Sequence, residues 1–154
     1  MSRRDEITLS DAELRDFLER ARTIILVSNG HDGVPHPMPM FYGIEKDGAI
    51  VMTTYTKSQK IQNLRRDPRV SLLIEDGEAY SELRGAVFYG TAELIDDADE
   101  VTRFLAAVSA HNGDPSEESE AAIAGRRRMA SKRTGIRVRP ERVVSWDHRK
   151  LAGP

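Results

Sequence analysis

Short turn motifs connect the first extended segments of this chain, and they constrain its fold more than any other feature. Asn29-Gly30 and Asp32-Gly33 follow a β-branched run at residues 23–28, and Lys46-Asp47-Gly48 precedes another run at 49–54. Such motifs favour tight hairpins, which pair their strands antiparallel. Because no strand–helix–strand repeat is visible, we predict an α+β protein dominated by β. Its antiparallel sheet should close into a barrel with peripheral helices at the rim.

Hydrophobic spacing and breaker residues divide the remainder of the chain. Ser10 and Glu13 form a capping box that begins a helix at about residues 11–21. The other elements expected before residue 116 are an alternating strand from Met38 to Ile44, strands at 69–75 and 82–95, a short helix at 58–66, and a helix capped by Asp96 or Asp97. A last helix should open at Ser116 and stop at Gly135, before closing strands that contain Ile136, Val138, Val143 and Val144.

Length and charge bound the class of protein. The 154 residues are expected to form a single domain, 1–154, with a core of its own. Lysine and arginine number 23 against 25 acidic residues, for a net charge of −2. A general nucleic-acid binder needs a broad basic face, so this balance argues against a nucleic-acid partner.

Several kinds of site and location are excluded or disfavoured by what the sequence lacks. The chain has no cysteine, and its four histidines show no metal-ligand spacing, so no metal site is expected. No apolar run approaches the roughly 18 residues of a membrane span, and the opening residues carry charges rather than a signal-like apolar stretch. We therefore expect a cytoplasmic protein with no membrane partner.

Residues 53–69 give the strongest functional signal. Thr53-Thr54 ends a strand, and Ser58 stands where the N-cap of the next helix belongs. Lys57 and Lys60 flank that serine, so free backbone N–H groups, the positive end of a helix dipole and two ammonium groups converge on one spot. This arrangement suits the phosphate of a cofactor or substrate. An ordinary capped surface helix with solvated lysines would have the same residues, and both interpretations stay open at this point.

Three other segments each allow a structural and a functional interpretation. The prolines in residues 36–40 confine that strand to a sheet edge, where its backbone could also face a planar ligand. Trp146 could anchor the C-terminal segment to the core or cover a ring-bearing ligand. The cations Arg126, Arg127, Arg128, Lys132 and Arg133 could form a solvated helix face or attract an anionic ligand.

The chain contains neither a Gly-x-Gly-x-x-Gly motif nor a phosphate loop of the ATPase kind. Instead, a set of its motifs resembles the pyridoxamine 5′-phosphate oxidase-like split β-barrel proteins, especially their flavin/deazaflavin (F420-dependent) oxidoreductase branch. The resemblance covers about residues 12–148. The motifs that carry it are Gly33-Val34-Pro35-His36-Pro37, Lys57-Ser58-Gln59-Lys60, Asn63-Leu64-Arg65-Arg66-Asp67-Pro68-Arg69 and Gly90-Thr91-Ala92-Glu93-Leu94.

The resemblance implies an FMN-binding split barrel that forms a homodimer, with the cofactor in a groove between the subunits. The phosphate of coenzyme F420, or alternatively of FMN, would rest at the start of the short helix. The cofactor-binding residues that it implies are Met38, Pro39, Met40, Thr53, Thr54, Lys57, Ser58, Gln59, Lys60, Asn63, Trp146 and His148, the last two from the other subunit. Many members have an arginine where this chain has Gln59, which removes a bidentate phosphate donor, although Lys57 can compensate.

The function implied by the resemblance is that of a reductase, which passes a hydride from reduced F420 to a small organic acceptor. F420 has a carboxylate-rich tail, and the cations after residue 125 favour it over FMN. Tyr55, Tyr80 and His148 are candidate proton donors, and no catalytic residue is assigned. The rival hypotheses are an FMN-dependent oxidoreductase of the pyridoxamine-phosphate oxidase type, a non-catalytic flavin, deazaflavin or haem-binding protein, and a structural dimer with a degenerate site.

Overall fold

The computed structural model describes residues 2–113 and 119–151, and its centre is a curled antiparallel sheet of eight strands. The strands are β1 (Thr23–Asn29), β2 (Pro35–Phe41), β3 (Gly43–Ile44), β4 (Ile50–Tyr55), β5 (Arg69–Asp76), β6 (Arg84–Ile95), β7 (Arg133–Val138) and β8 (Arg142–Asp147). The helices are α1 (Arg3–Ile7), α2 (Asp11–Arg20), α3 (Gln59–Arg66), α4 (Ala98–His111) and α5 (Glu120–Ala130), with 3₁₀ turns at Tyr80–Glu82 and His148–Leu151.

The order of the strands explains why the sheet curls. Neighbours run β2-β1-β5-β6-β7-β4-β3, and β8 pairs with the first half of β6. The two edge strands, β2 and β3, are joined through Tyr42, so the edges must come close together although they do not pair with each other. The result is a split barrel, which confirms the predicted antiparallel, β-dominated fold with helices at its rim.

The continuous strand predicted from Met38 to Ile44 is in fact two strands, because Tyr42 interrupts it. The side chain of Tyr42 is fully buried, and its hydroxyl lies within hydrogen-bonding distance of the carbonyls of Leu18 and Ala21 at the end of α2. Burial raises the pKa of this phenol above its ordinary value. Tyr42 therefore ties the barrel edge to α2.

The core lies on the inner face of the curled sheet. Each fully buried large apolar side chain contributes about 1.5–3 kcal/mol through the area it removes from water. Those on the strands include Ile24, Leu26, Ile50, Met52, Leu72, Ile74 and Ile136, and α3 adds Ile61 and Leu64. A second cluster, which contains Val51, Val101 and Phe104, packs α4 on the outside of β4 and β7. These contacts hold α3 and α4 on opposite sides of β4.

The predictions for the helices are largely confirmed. The capping box at Ser10 is present, since Glu13 accepts from the backbone N–H of Ser10 at 2.7 Å. The predicted helix at 58–66 is α3, and Asp97 caps α4 by accepting from the N–H of Glu100 at 2.9 Å. Within the described residues, no helix is long and apolar enough to cross a membrane.

The last helix differs from the prediction at both ends. Ser116 lies outside the described residues, and α5 is capped by Ser119 instead. The helix ends at Ala130, and Gly135 lies within β7 rather than at a helix stop. A Cβ atom on Gly135 would lie 2.7 Å from the ring of Phe104, so this glycine permits the close approach of α4 to the sheet.

Candidate functional site

The turn between β4 and α3 contains a buried hydroxyl that has no partner in the described part of the chain. The N–H of Ser58 donates to the carbonyl of Tyr55 at 2.9 Å, which fixes Ser58 as the N-cap of α3. Its hydroxyl nevertheless makes no capping bond, and Ser58 Oγ is buried without a hydrogen-bond partner among the described residues. A buried hydroxyl without a partner costs about 1–3 kcal/mol, so this geometry suits a group that would hydrogen-bond to Ser58 Oγ.

Lys60 is a buried cation at the same turn. The residue is 9% exposed, and its ammonium Nζ donates to Thr54 Oγ1 at 3.1 Å. No carboxylate in the part of the chain that the structure describes forms an ion pair with it. Burial lowers the pKa of Lys60 below its ordinary value, because the charged form loses hydration. An anion beside Nζ would supply the missing counter-charge. Thr54, Ser58, Lys60 and the first turn of α3 are called the β4–α3 corner below.

The predicted residues Gln59 and Asn63 hold α3 in place. Asn63 is fully buried, and its amide nitrogen donates to Ser28 Oγ on β1 at 3.0 Å. The side-chain amide of Gln59 donates to Asn63 Oδ1 at 2.9 Å. These bonds link the exposed first residue of α3 to the barrel core, so they orient the helix terminus that forms the corner.

Residues from distant parts of the chain form hydrogen bonds next to the end of β4. Thr134 on β7 donates to Asp96 Oδ1 at 2.7 Å, and the hydroxyls of Thr134 and Thr56 lie 3.0 Å apart. The Thr134 bond lowers the pKa of the Asp96 carboxyl, which also pairs with Arg65. Sequence reasoning gave Asp96 only as a candidate helix cap and did not single out Thr134, because only strand register brings the two residues together beside β4.

A groove of about 570 Å³ opens next to the corner. Its lining consists of Tyr55, Thr56, Lys57, Ser131 and Lys132. Tyr55 is 61% exposed, and the guanidinium of Arg133 lies 4.7 Å from the centre of its ring. Arg133 also approaches Thr53, with NH1 3.4 Å from Oγ1. We call the groove lined by these five residues the Tyr55 groove. Within residues 2–113 and 119–151, none of its cations is paired with a carboxylate.

The predicted edge strand is confirmed. β2 pairs with β1 alone among the described strands, and Pro37 and Pro39 are exposed while Met38 and Met40 are half-buried. Prolines are tolerated here because a strand edge does not require their missing N–H groups. Contact of residues 38–40 with a ligand stays a prediction.

Trp146 and His148 lie far from the β4–α3 corner within one subunit. Trp146 packs on Gly85 at the beginning of β6, where a glycine Cβ would come within 2.3 Å of its ring, whereas Thr53 lies beside the end of β6 through β7. From Gly85 to Ile95, ten residue steps along β6 span about 33 Å at about 3.3 Å per residue. His148 Nδ1 lies 2.9 Å from the carbonyl of Tyr80. A role for either residue at the corner therefore requires a second subunit.

The outer face of the sheet carries a continuous apolar row. Side chains in register across five strands are Pro39, Ile25, Leu73, Val87 and Val144. They alternate with core residues, so they point away from the barrel interior, and none of them is fully buried. This row is called the outer stripe below.

Comparison with known proteins identified solved structures that are similar to this chain. A search of curated proteins found no match. The conserved hypothetical protein Rv2991 from Mycobacterium tuberculosis is 41% identical, covers 100% of this chain and 94% of its own, and superposes with a TM-score of 0.89.

Two more distant structures agree in fold alone. A protein described as an F420 reductase is 23% identical over 84% of this chain and 94% of its own (TM-score 0.63). The haem storage protein HutZ from Vibrio cholerae is 17% identical over 88% of this chain and 94% of its own (TM-score 0.67). The family model described as pyridoxamine 5′-phosphate oxidase matches residues 10–147. The split barrel and this match agree with the resemblance in the sequence, and the chain belongs to the pyridoxamine 5′-phosphate oxidase-like family.

Proposed function

We propose that this protein is a cofactor-dependent oxidoreductase, a reductase that transfers a hydride between reduced coenzyme F420 and a small organic acceptor. The observation that carries the proposal is the β4–α3 corner, where a buried ammonium lacks a counter-charge and a buried hydroxyl lacks a partner among the residues that the structure describes. A phosphate meets both needs, since it is anionic and accepts several hydrogen bonds. Its ligands would be Lys60 Nζ, Ser58 Oγ and the first N–H groups of α3.

The protein's own part would be binding, orientation and exclusion of water. The deazaflavin ring supplies the hydride chemistry when it is bound. Lys60 and Ser58 would bind the phosphate end of the cofactor. The hydrogen bond from Asn63 to Ser28 holds α3 against β1 and so fixes the position of these two residues. Met38, Pro39 and Met40 on the edge strand would border the ring.

The choice of F420 over FMN rests on the Tyr55 groove. Lys57, Arg128 and Lys132 carry charges that the described carboxylates do not neutralise, and they stand beside the corner rather than in it. FMN ends at its phosphate, whereas F420 continues into a tail rich in carboxylates. Unpaired cations next to the phosphate site suit the longer cofactor. FMN is the alternative.

A homodimer is part of the proposal. The outer stripe presents apolar side chains from five neighbouring strands, and a second copy of the chain could cover them. The second copy would also bring its own Trp146 and His148 toward the cofactor groove. We further propose that the enzyme acts in the cytoplasm on a small-molecule substrate. Sedimentation velocity would measure the oligomeric state directly.

The decisive experiment combines cofactor identification with turnover. Native mass spectrometry of the purified protein would identify a copurifying cofactor, and reduction of a panel of enones and quinones would be followed with reduced F420 and with reduced FMN. We expect turnover with F420. Tight binding of F420, FMN or haem without turnover would favour a carrier instead. Absence of any cofactor binding would overturn the proposal and indicate a degenerate site.

A further inference from the structure

We infer that the β4–α3 corner selects a singly charged phosphodiester over a doubly charged phosphomonoester. This inference rests on the proposed function only in assuming that a phosphate docks at the corner. It concerns the charge and connectivity of that phosphate, and therefore the class of cofactor that the site accepts.

The charge of the corner comes from one buried cation. Lys60 is buried, whereas Lys57 is exposed, where solvent and salt screen its charge. An arginine at position 59 would add a guanidinium at the first residue of α3. This chain has the neutral Gln59 there, and its side-chain amide donates to Asn63 Oδ1 at 2.9 Å. One buried ammonium balances one negative charge.

The neighbouring arginines are committed to other partners. Arg65 forms a bidentate pair with Asp96, with both contacts at 3.0 Å. Arg66 donates to the carbonyl of Asn29 at 2.7 Å. Arg133 contacts Thr53, whose side chain points to the opposite face of β4 from that of Thr54. None of the three is placed to neutralise a second charge beside Lys60.

The difference between the two phosphate classes is large under these conditions. A phosphomonoester carries about 1.5 to 2 negative charges at pH 7, whereas a phosphodiester carries one. Hydroxyl and amide donors can bond the extra charge but do not neutralise it, and a charge removed from water without an ionic partner is costly. The corner therefore favours the diester.

The connectivity of the site leads to the same conclusion. A monoester ends a molecule, whereas a diester continues on its far side. The Tyr55 groove begins at Lys57, directly before Ser58, and its volume of about 570 Å³ leaves room for such a continuation. Deazaflavin F420 and the dinucleotide FAD both have singly charged, doubly linked phosphates, so either could be the source of this chemistry.

The test uses two ligands with the same ring, FMN and its phosphate methyl ester. Their dissociation constants would be measured by calorimetry at pH 7.5 with the wild-type protein, Gln59→Arg and Ala110→Arg. We expect the wild type to bind the methyl ester at least fivefold more tightly than FMN. Gln59→Arg should improve FMN binding about tenfold more than methyl ester binding, because the new guanidinium pairs with the second charge.

Ala110→Arg is the charge control, since it adds the same charge at an exposed position in the last turn of α4, outside the β4–α3 corner. It should leave the ratio of the two dissociation constants within twofold of wild type. A wild-type preference for FMN, or an equal change of the ratio in both variants, would overturn the inference.

Parallel titrations with F420 and FAD separate this inference from the proposed function. Tighter binding of FAD than of F420 would support the diester selectivity while overturning the choice of F420. Failure of all four ligands to bind would overturn the proposed phosphate site and the inference with it. Binding of all four with FMN the tightest would overturn the inference alone.

Discussion

The chain handles its buried cations in two opposite ways. Arg137 on β7 is surrounded by carboxylates, with Glu45 at 2.7 Å, Glu93 at 3.3 Å and Glu100 at 2.6 Å, and its side chain is 11% exposed. Lys60 at the β4–α3 corner is buried to a similar degree, and its described polar partner is a threonine hydroxyl. We call the first group the Arg137 cluster.

The difference fits a structural role for Arg137 and the proposed phosphate-binding role for Lys60. The hydrogen bonds that Arg137 donates to Glu45 and Glu100 raise its pKa, because they stabilise its charged form, whereas burial lowers the pKa of Lys60. The Arg137 cluster joins β6, β7, α4 and the residue after β3, and its cation is already paired with carboxylates. At the β4–α3 corner, no carboxylate of the described residues pairs with Lys60, which suits the proposed anion. Four predictions test this contrast between the two cations.

The largest effect is expected at the Arg137 cluster. Arg137→Met would leave Glu45 and Glu100, both largely shielded from water, without a described cation, and would leave Glu93 with Arg139 alone. Since these carboxylates keep partial solvent access, we expect a loss of about 3 kcal/mol in the free energy of unfolding, at the low end for broken buried pairs. Urea denaturation would measure it.

Arg139→Met is the control for that substitution, because the exposed pairs of Arg139 with Asp47 and Glu93 should contribute at most about 1 kcal/mol. Cofactor affinity, measured on the folded fraction of Arg137→Met, should stay within about threefold of wild type. A large loss of affinity would show that the cluster and the corner are not separable.

The opposite behaviour is expected at the corner. Lys60→Met removes an uncompensated buried charge while keeping most of the apolar length, so the free energy of unfolding should stay equal or rise by about 1 kcal/mol. Affinity for F420 or FMN should fall about 30-fold, roughly 2 kcal/mol, through loss of a charge-assisted bond to the phosphate. Calorimetry and urea denaturation on the same sample would measure both. A variant that loses stability but keeps its affinity would assign Lys60 a structural role.

The sequence predicts a region well when its contacts join residues that are close together along the chain. The corner was predictable because Ser58, Lys60 and the boundaries of α3 follow from signals within ten residues. The antiparallel barrel was predictable for the same reason, since local hairpin turns specify most of the pairing of its first strands.

The contacts that sequence reasoning missed are long-range. Arg137 meets Glu45 across 92 residues, and Thr134 meets Asp96 across 38, so only strand register and the docking of α4 bring them together. Gly135 was predicted to stop a helix. Its actual role is to make room for Phe104, which lies on another element and so gives no local signal. The placement of Trp146 and His148 near a cofactor depends on a second subunit, which no pattern within one chain specifies.

A smaller effect is expected for Ser58→Ala. The Ser58 hydroxyl has no partner within the described residues, so its removal should not lower the free energy of unfolding and should raise it slightly. Cofactor affinity should fall about fivefold, or about 1 kcal/mol, since one neutral hydrogen bond to the phosphate is lost. Ser10→Ala, which removes a hydroxyl that does cap α2, should instead destabilise the protein by about 1 kcal/mol without changing affinity. Equal stability losses in the two variants would mean that Ser58 also caps its helix.

The smallest effect is expected from pH. Because burial lowers the pKa of Lys60 in the folded protein, its ammonium begins to lose its proton below the unfolded value of about 10.4. Stability should therefore rise with pH between the folded and unfolded pKa values, since the unfolded chain binds the proton more tightly there. Phosphate affinity should fall over the same interval, because the neutral amine no longer attracts an anion.

The dissociation constant of FMN would be measured for Lys60→Met and for the wild type from pH 7 to pH 10. The ratio of the two constants is used because ionisation of the flavin ring affects both equally and cancels. We expect that ratio to shrink by a few-fold as pH rises. The hydroxyl of Thr54 would still bond the neutral amine, so the fold at the corner should persist while its affinity for phosphate declines. A ratio that stays constant to pH 10 would mean that an unidentified group keeps Lys60 charged, and the contrast with the Arg137 cluster would then disappear.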